Sequence, residues 1–344
     1  MPPPAHGLSR RHFCAALCAA GRQARGVRGS TEAPPVPVCS RIDMDWHDSA
    51  RQRPVPVRLY WPAGPSQAAV PLVVFSHGIG GSREGYSYLG AHWADHGHAS
   101  LHVQHVGSDR SLWAGSLVSV VDRLQAAATV REASERVKDL GFALDCLLDP
   151  GSECAARIDR RRIAVAGHSY GANTSLLAIG ARALHQGQVL DFHDPRFTSA
   201  VLISAPPFYG QADAATVLEH VAVPTLHVTA TDDVIRIPGF YSASSDRLAV
   251  YDAVADPRKT LVVYAGGSHS MFTDRSTSGG VTLNPRIKQA TRELTLAFLE
   301  GAFEDDTLAL ERWQGQWAPI LHRVQKGRHE LPFQRDAATA AASS

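Results

Sequence analysis

Short, wholly apolar runs alternate along this chain with longer stretches in which apolar positions recur every three or four residues. Pro71-Leu72-Val73-Val74-Phe75 is apolar throughout, as a strand covered on both faces must be. Further strands are read at residues 99–105, 162–166, 199–204, 223–229 and 260–265. Between them, residues 86–96 place Leu89 and Trp93 one helical turn apart. Residues 131–149 repeat Val137, Leu140, Leu144, Leu147 and Leu148 at three- and four-residue steps, until Pro150-Gly151 stops the helix. Residues 284–301 set Ile287, Leu294, Ala297 and Phe298 on one face. Strands alternating with helices predict an α/β fold with a mostly parallel, doubly wound sheet and helices on both faces. Two extended segments, 38–45 and 55–61, read as an antiparallel lead-in, and 260–265 as the last strand. Residues 106–130 have no clear period and read either as a lid or substrate loop or as a peripheral helix.

One strand-to-helix junction carries chemistry. Gly167-His168-Ser169-Tyr170-Gly171 follows the 162–166 run and precedes a helical pattern at 172–179. G-x-S-x-G between strand and helix is the context of a nucleophile elbow. The tight turn strains the serine backbone and leaves its hydroxyl exposed at the top of a sheet, and the two glycines let strand and helix approach. The amide of Tyr170 then faces the negative charge that develops in acyl transfer. A glycine-rich turn, Ser76-His77-Gly78-Ile79-Gly80-Gly81, follows the 71–75 strand and offers the amide of Ile79 as a second donor.

A serine hydroxyl needs a base, and the base an orienting carboxylate. Both occur downstream, each after a strand. Ala230-Thr231-Asp232-Asp233 supplies two competing carboxylates; the spacing after the Ala-Thr pair favours Asp233, with Asp232 second. His269 follows Gly266-Gly267-Ser268 after the 260–265 strand, on a turn able to bring an imidazole over Ser169. Trp113, Tyr170, Met271 and Phe272 are candidates for an apolar substrate pocket, and equally for core.

Residues 74–81 and 167–171 resemble the oxyanion segment and elbow of the platelet-activating-factor acetylhydrolases. More broadly, residues from about 55 to 300 resemble the α/β-hydrolase superfamily and its dienelactone-hydrolase-like members. The resemblance implies an α/β-hydrolase fold and a serine carboxylic-ester hydrolase. It would make Ser169 the nucleophile, Asp233 the acid and His269 the base, with the oxyanion held by the Ile79 and Tyr170 amides. Dienelactone hydrolases use a cysteine nucleophile; Ser169 here points instead to ordinary carboxylic esters. A lipase, a phospholipid acetylhydrolase or an amidase would use the same three residues. A binding protein of this fold would be free to lose any of them.

Composition narrows the partners. The chain has 344 residues, a formal net charge of +1 and 44% hydrophobic residues. That gives no electrostatic reason to expect nucleic acid, and there is no apolar run long enough to span a membrane. The expected partner is a small-molecule or lipid ester, with no cofactor and no metal. His92, His96, His98, His102 and His105 cluster in sequence, but no cysteine or carboxylate completes an evident ligand set. Ser9-Arg10-Arg11-His12-Phe13 and the short apolar run after it resemble a twin-arginine export signal; the alternative is a disordered arm. Cys146 and Cys154 flank Pro150-Gly151, and the sequence leaves open whether they pair. The expected organisation is a signal and linker over 1–35, a hydrolase domain over 36–310, and a partly disordered C-terminal extension over 311–344.

Overall fold

Successive residues of the central strands feed two different cores. Leu72 and Val74 pack into one, Val73 and Phe75 into the other; Ile163 and Val165 oppose Ala164 and Ala166, and Ala200 and Leu202 oppose Val201 and Ile203. A strand that must be apolar on both faces loses its period-two pattern, which explains the unbroken apolar runs. The computed structural model describes residues 39–64, 68–211, 213–237, 240–274, 283–304 and 306–331. The expected export signal and linker, and the tail expected to be disordered, lie outside the described residues.

In chain order the strands are β1 (Cys39–Asp48), β2 (Arg53–Pro62), β3 (Val70–Ser76), β4 (Ala99–Val103), β5 (Ile158–His168), β6 (Arg182–His185), β7 (Gln188–Asp191), β8 (Ser199–Ile203), β9 (Thr225–Asp232), β10 (Ile235–Ile237), β11 (Phe240–Ser242), β12 (Lys259–Ser268), β13 (Leu321–Lys326) and β14 (His329–Glu330). Ten of them form one sheet in the order β1-β2-β4-β3-β5-β8-β9-β12-β13-β14. β4 through β12 run parallel in that order, and the strands outside them pair antiparallel. Two hairpins, β6–β7 and β10–β11, stand apart from the sheet.

The helices are α1 (Ser87–Asp95), α2 (Leu117–Ala127), α3 (Val130–Leu147), α4 (Tyr170–Ala178), α5 (Ala214–Leu218), α6 (Ser244–Ala253), α7 (Leu283–Glu304) and α8 (Thr307–Trp317). The apolar stripes of α3 and α4 cover one face of the sheet. Those of α1, α7 and α8 cover the other. This is the α/β-hydrolase architecture.

One region falls on one of the two readings the sequence left open, and another differs from the sequence expectation. The aperiodic 106–130 stretch is largely helical: a 3-10 turn at Arg110–Trp113 leads into α2, and Leu112, Leu124 and Ala127 pack together against Ile79. The sheet also does not end at β12, and the boundary expected at residue 310 falls inside α8. β13 returns from α8 to pair antiparallel with β12, with Val324 opposite Val262. Trp313 and Trp317 are buried, and Trp313 Nε1 donates to the carbonyl of Ala290 at 2.8 Å. A single short strand after a helix gives little periodicity to read, and tertiary pairing decides it.

A chain ending at Ala318 would expose the full edge of β12. We expect it to be recovered mainly as aggregate, or to melt at least about 5 °C below the full chain. Melting at the full-length temperature would show that β13 and β14 are dispensable.

Candidate active site

The elbow is closed by backbone contact. A Cβ on Gly167 would collide with the carbonyl of Gly171, and one on Gly171 with the carbonyl of Ser76. Only glycine fits either place. Ser169 lies between β5 and α4 with φ 56° and ψ −124°, a left-handed backbone that a residue with a Cβ adopts at a cost of about 1–3 kcal/mol. Its own amide is tied to the carbonyl of Ile203 on β8 at 2.8 Å, which fixes the turn to the sheet.

Three side chains from three strand ends meet here. His269 Nε2 lies 2.8 Å from Ser169 Oγ, and His269 Nδ1 lies 2.7 Å from Asp233 Oδ1. Asp232, the competing carboxylate, is exposed at the end of β9 and accepts from the Thr231 hydroxyl. Asp233 is fully buried. Its second oxygen accepts from Thr229 Oγ1 at 2.8 Å and from Ser204 Oγ, and the guanidinium of Arg247 stands 3.6 Å from the first. Burial alone would raise the Asp233 pKa. The hydrogen bond from His269, the charge of Arg247 and the hydrogen bond from Ser204 outweigh burial and hold the carboxyl well below its usual range.

The glycine turn after β3 is equally constrained. Gly80 N donates to Ser108 O at 2.8 Å and Gly81 N to Gly78 O at 3.0 Å. The amides of Ile79 and Tyr170 have no backbone acceptor among the described residues. Ile79, Ser169 and Tyr170 all line one cavity. Beneath them lies Arg136 of α3, fully buried. Its guanidinium donates to Ser108 Oγ at 2.8 Å, Thr174 Oγ1 at 2.9 Å, Ser76 Oγ at 3.1 Å and the carbonyl of His77, and it sits 4.4 Å from the centre of the Tyr170 ring. Nothing in the sequence singles it out, because an arginine on an amphipathic helix ordinarily faces water.

The cavity measures about 140 Å³. Leu177 of α4 lines one wall, and Phe192, Phe208, Tyr209 and Phe240 come from the hairpins and loops above it. None of the residues expected to form a pocket beyond the elbow does so. Met271 and Phe272 are fully buried in the core beneath His269, packed with Phe75, Tyr264 and Ile287, because the turn after His269 points inward. Trp113 is 46% exposed and lies against Gly80, where its indole Nε1 donates to the Gly80 carbonyl at 2.9 Å. The clustered histidines diverge. His92 on α1 meets His96 just past its end with rings tilted by 50°, His98 packs on Phe303, and His102 lies between Tyr60 and Phe75. His105 bridges Ser76 Oγ (2.9 Å) and Asp139 (3.1 Å).

Residues 55–125 match the model of the family described as platelet-activating factor acetylhydrolase, isoform II. That segment carries the glycine turn after β3 and none of the three converging side chains. No curated protein matches the chain by sequence. Among solved structures, a ferulic acid esterase from Streptomyces cinnamoneus shares the fold with a TM-score of 0.52 and 21% identity, over 79% of this chain and 92% of that one. With this architecture the chain has the α/β-hydrolase fold, and over residues 55–125 it resembles the platelet-activating factor acetylhydrolases.

Proposed function

We propose that the chain hydrolyses carboxylic esters through an acyl-enzyme on Ser169. His269 acts as general base, Asp233 as its orienting acid, and the amides of Ile79 and Tyr170 as the oxyanion hole. The observation that carries this reading is the pair of hydrogen bonds on His269, one to Ser169 Oγ and one to Asp233 Oδ1. Nδ1–H donates to the buried carboxylate, so Nε2 is left to accept the serine proton. As Oγ attacks the ester carbon, Nε2 takes that proton and the carbonyl oxygen gains charge toward the two amides. Collapse breaks the C–O bond, and Nε2–H returns the proton to the leaving alcohol. Water then gives a proton to the same nitrogen as its oxygen attacks the acyl carbon; collapse breaks the bond to Oγ, Nε2–H returns the proton to Ser169 Oγ, and the acid leaves.

The size of the cavity supports a small acyl group. An apolar cavity of roughly 150 Å³ holds one benzene ring, and this one is about 140 Å³. A second reading, hydrolysis of a short acyl ester carried on a lipid, is favoured by the family match over 55–125. In that case the lipid body would remain outside the cavity. The Arg10-Arg11 segment supports export, which N-terminal sequencing of the mature protein would test; an intact Met1 on cytosolic protein would count against it.

Purified protein should release p-nitrophenol from p-nitrophenyl butyrate, and Ser169→Ala should lose about 10⁴-fold or more in kcat while keeping its circular dichroism. Turnover by the alanine variant equal to wild type would remove the mechanism. Across a series of p-nitrophenyl esters, kcat/KM should peak at acyl groups of roughly six carbons or fewer and fall for longer chains, since the enclosed volume suits about one ring; a rate still rising at dodecanoate would contradict an acyl site of this size. Asp233→Asn should lower kcat by about 10³–10⁴-fold through loss of the required His269 tautomer, whereas Asp232→Asn should stay within about twofold. The reverse ranking would reassign the acid.

A further inference from the structure

The base lies just past the end of β12, whose Ser268 pairs with Asp232 of β9. It follows Gly266 and Gly267, with φ 74° and 98°, and begins a 3-10 turn, His269–Phe272. One side chain reaches the backbone of His269 itself. His168, the residue before the nucleophile, places Nε2 at 3.1 Å from the His269 carbonyl, and the two rings meet tilted by 35° with centroids 4.7 Å apart. On its other side, His168 Nδ1 lies 2.8 Å from Tyr86 Oη, which in turn lies 3.3 Å from the amide nitrogen of Gly78 in the oxyanion turn.

The directions of these bonds follow from what each atom is able to do. A carbonyl only accepts, so His168 Nε2 carries the proton. His168 is buried, and burial together with the neighbouring His269 holds it well below the usual histidine range, so it has one N–H and Nδ1 is an acceptor. The Tyr86 hydroxyl therefore donates to Nδ1, and its oxygen receives the Gly78 N–H. Tyr86 is held to this task by an unusual backbone: it is a non-glycine residue with φ 59° and ψ 31° at the start of α1, packed on Phe75 at 4.7 Å. Strain at a bulky buried residue persists where the surroundings over-determine it, and such positions gather at functional sites.

We infer that Tyr86 and His168 are positioning residues that couple the oxyanion turn to the base, through the chain Gly78 N–H to Tyr86 Oη–H to His168 Nδ1 and His168 Nε2–H to the His269 carbonyl. This rests on the proposed role of His269 as general base. The relay touches no substrate. It sets where the His269 ring stands relative to Ser169 Oγ, and it ties that position to the turn carrying the Ile79 amide.

Tyr86→Phe removes one oxygen and leaves the ring packing intact. With p-nitrophenyl butyrate, kcat should fall about 10- to 100-fold, the range a displacement near one ångström produces, with KM within twofold. The far-downfield proton of His269 Nδ1–H, bonded to Asp233, should move in its NMR spectrum. His168→Gln retains a donor able to reach the His269 carbonyl and should keep several-fold more kcat than His168→Leu. Wild-type kcat and an unmoved resonance in Tyr86→Phe, or equal impairment of the Gln and Leu variants, would overturn the relay while Ser169→Ala remains inactive. A KM that rises in step with the loss in kcat would overturn it too. An active Ser169→Ala would instead remove the reading on which the relay rests, and the relay with it.

Discussion

A single buried cation joins the segments that make this site. The Arg136 guanidinium gives its N–H groups to oxygens at the end of β3, in the loop after β4 and on α4, and lies over the ring of the residue that follows Ser169. Removing a guanidinium from water carries a penalty of several kcal/mol, recovered only when its donors find partners with good geometry. Burial accordingly pulls its pKa down to about 10, and still the group stays charged at neutral pH. Its direct partners are hydroxyls and a carbonyl. The carboxylates lie one step further out: Glu132 accepts from Ser108 Oγ, and Asp139 is shared by Arg51, Arg53 and His105. The cation is thus held by dipoles that belong to the oxyanion turn and the elbow helix. Those two elements cannot separate without stranding a buried charge.

The same economy governs the acid. Asp233 is fully buried, yet remains ionised because four donors surround it: two hydroxyls, an imidazole and, slightly further away, a guanidinium. Ser204, one of those donors, also has a positive φ of 52°. Three non-glycine residues with strained backbones therefore bond to the groups of this site: Tyr86 to His168, Ser169 to His269 and Ser204 to Asp233. Strain of this kind is sustained by a rigid surround, which here is the parallel sheet, fed from both faces by apolar side chains.

Much of this is legible in the amino-acid order, for physical reasons. A strand buried on two faces must be apolar without interruption, so β3, β5 and β8 announce themselves. A helix with one wet face must repeat every three or four residues, as α3 and α7 do. Ser169, Asp233 and His269 each follow a strand, and parallel strands end on one edge, so sequence order already brings them to a common rim. Other features leave no such trace. The cavity wall takes Phe192, Phe208 and Phe240 from hairpins and loops without period. Met271 and Phe272 stand beside His269 in sequence but turn into the core, because a 3-10 turn directs neighbouring side chains apart. Arg136 occupies a place in the helical pattern where charge ordinarily signals solvent. β13 is one short strand whose identity is decided by the partner it finds.

The rims of the sheet carry a consequence of their own. A flat, apolar outer strand with open amide and carbonyl groups would template pairing with another molecule. On one side the last described strand, β14, is two residues long and consists of His329 and Glu330, both exposed, close to Lys326 and Arg328. On the other, β1 carries Arg41, Asp43 and Asp45 along its outward positions, with Asp43 and Asp45 engaged by arginines from β2 and the loop beyond β3. Charge along β1 and the brevity of β14 therefore disfavour edge-to-edge pairing of this sheet with that of another molecule.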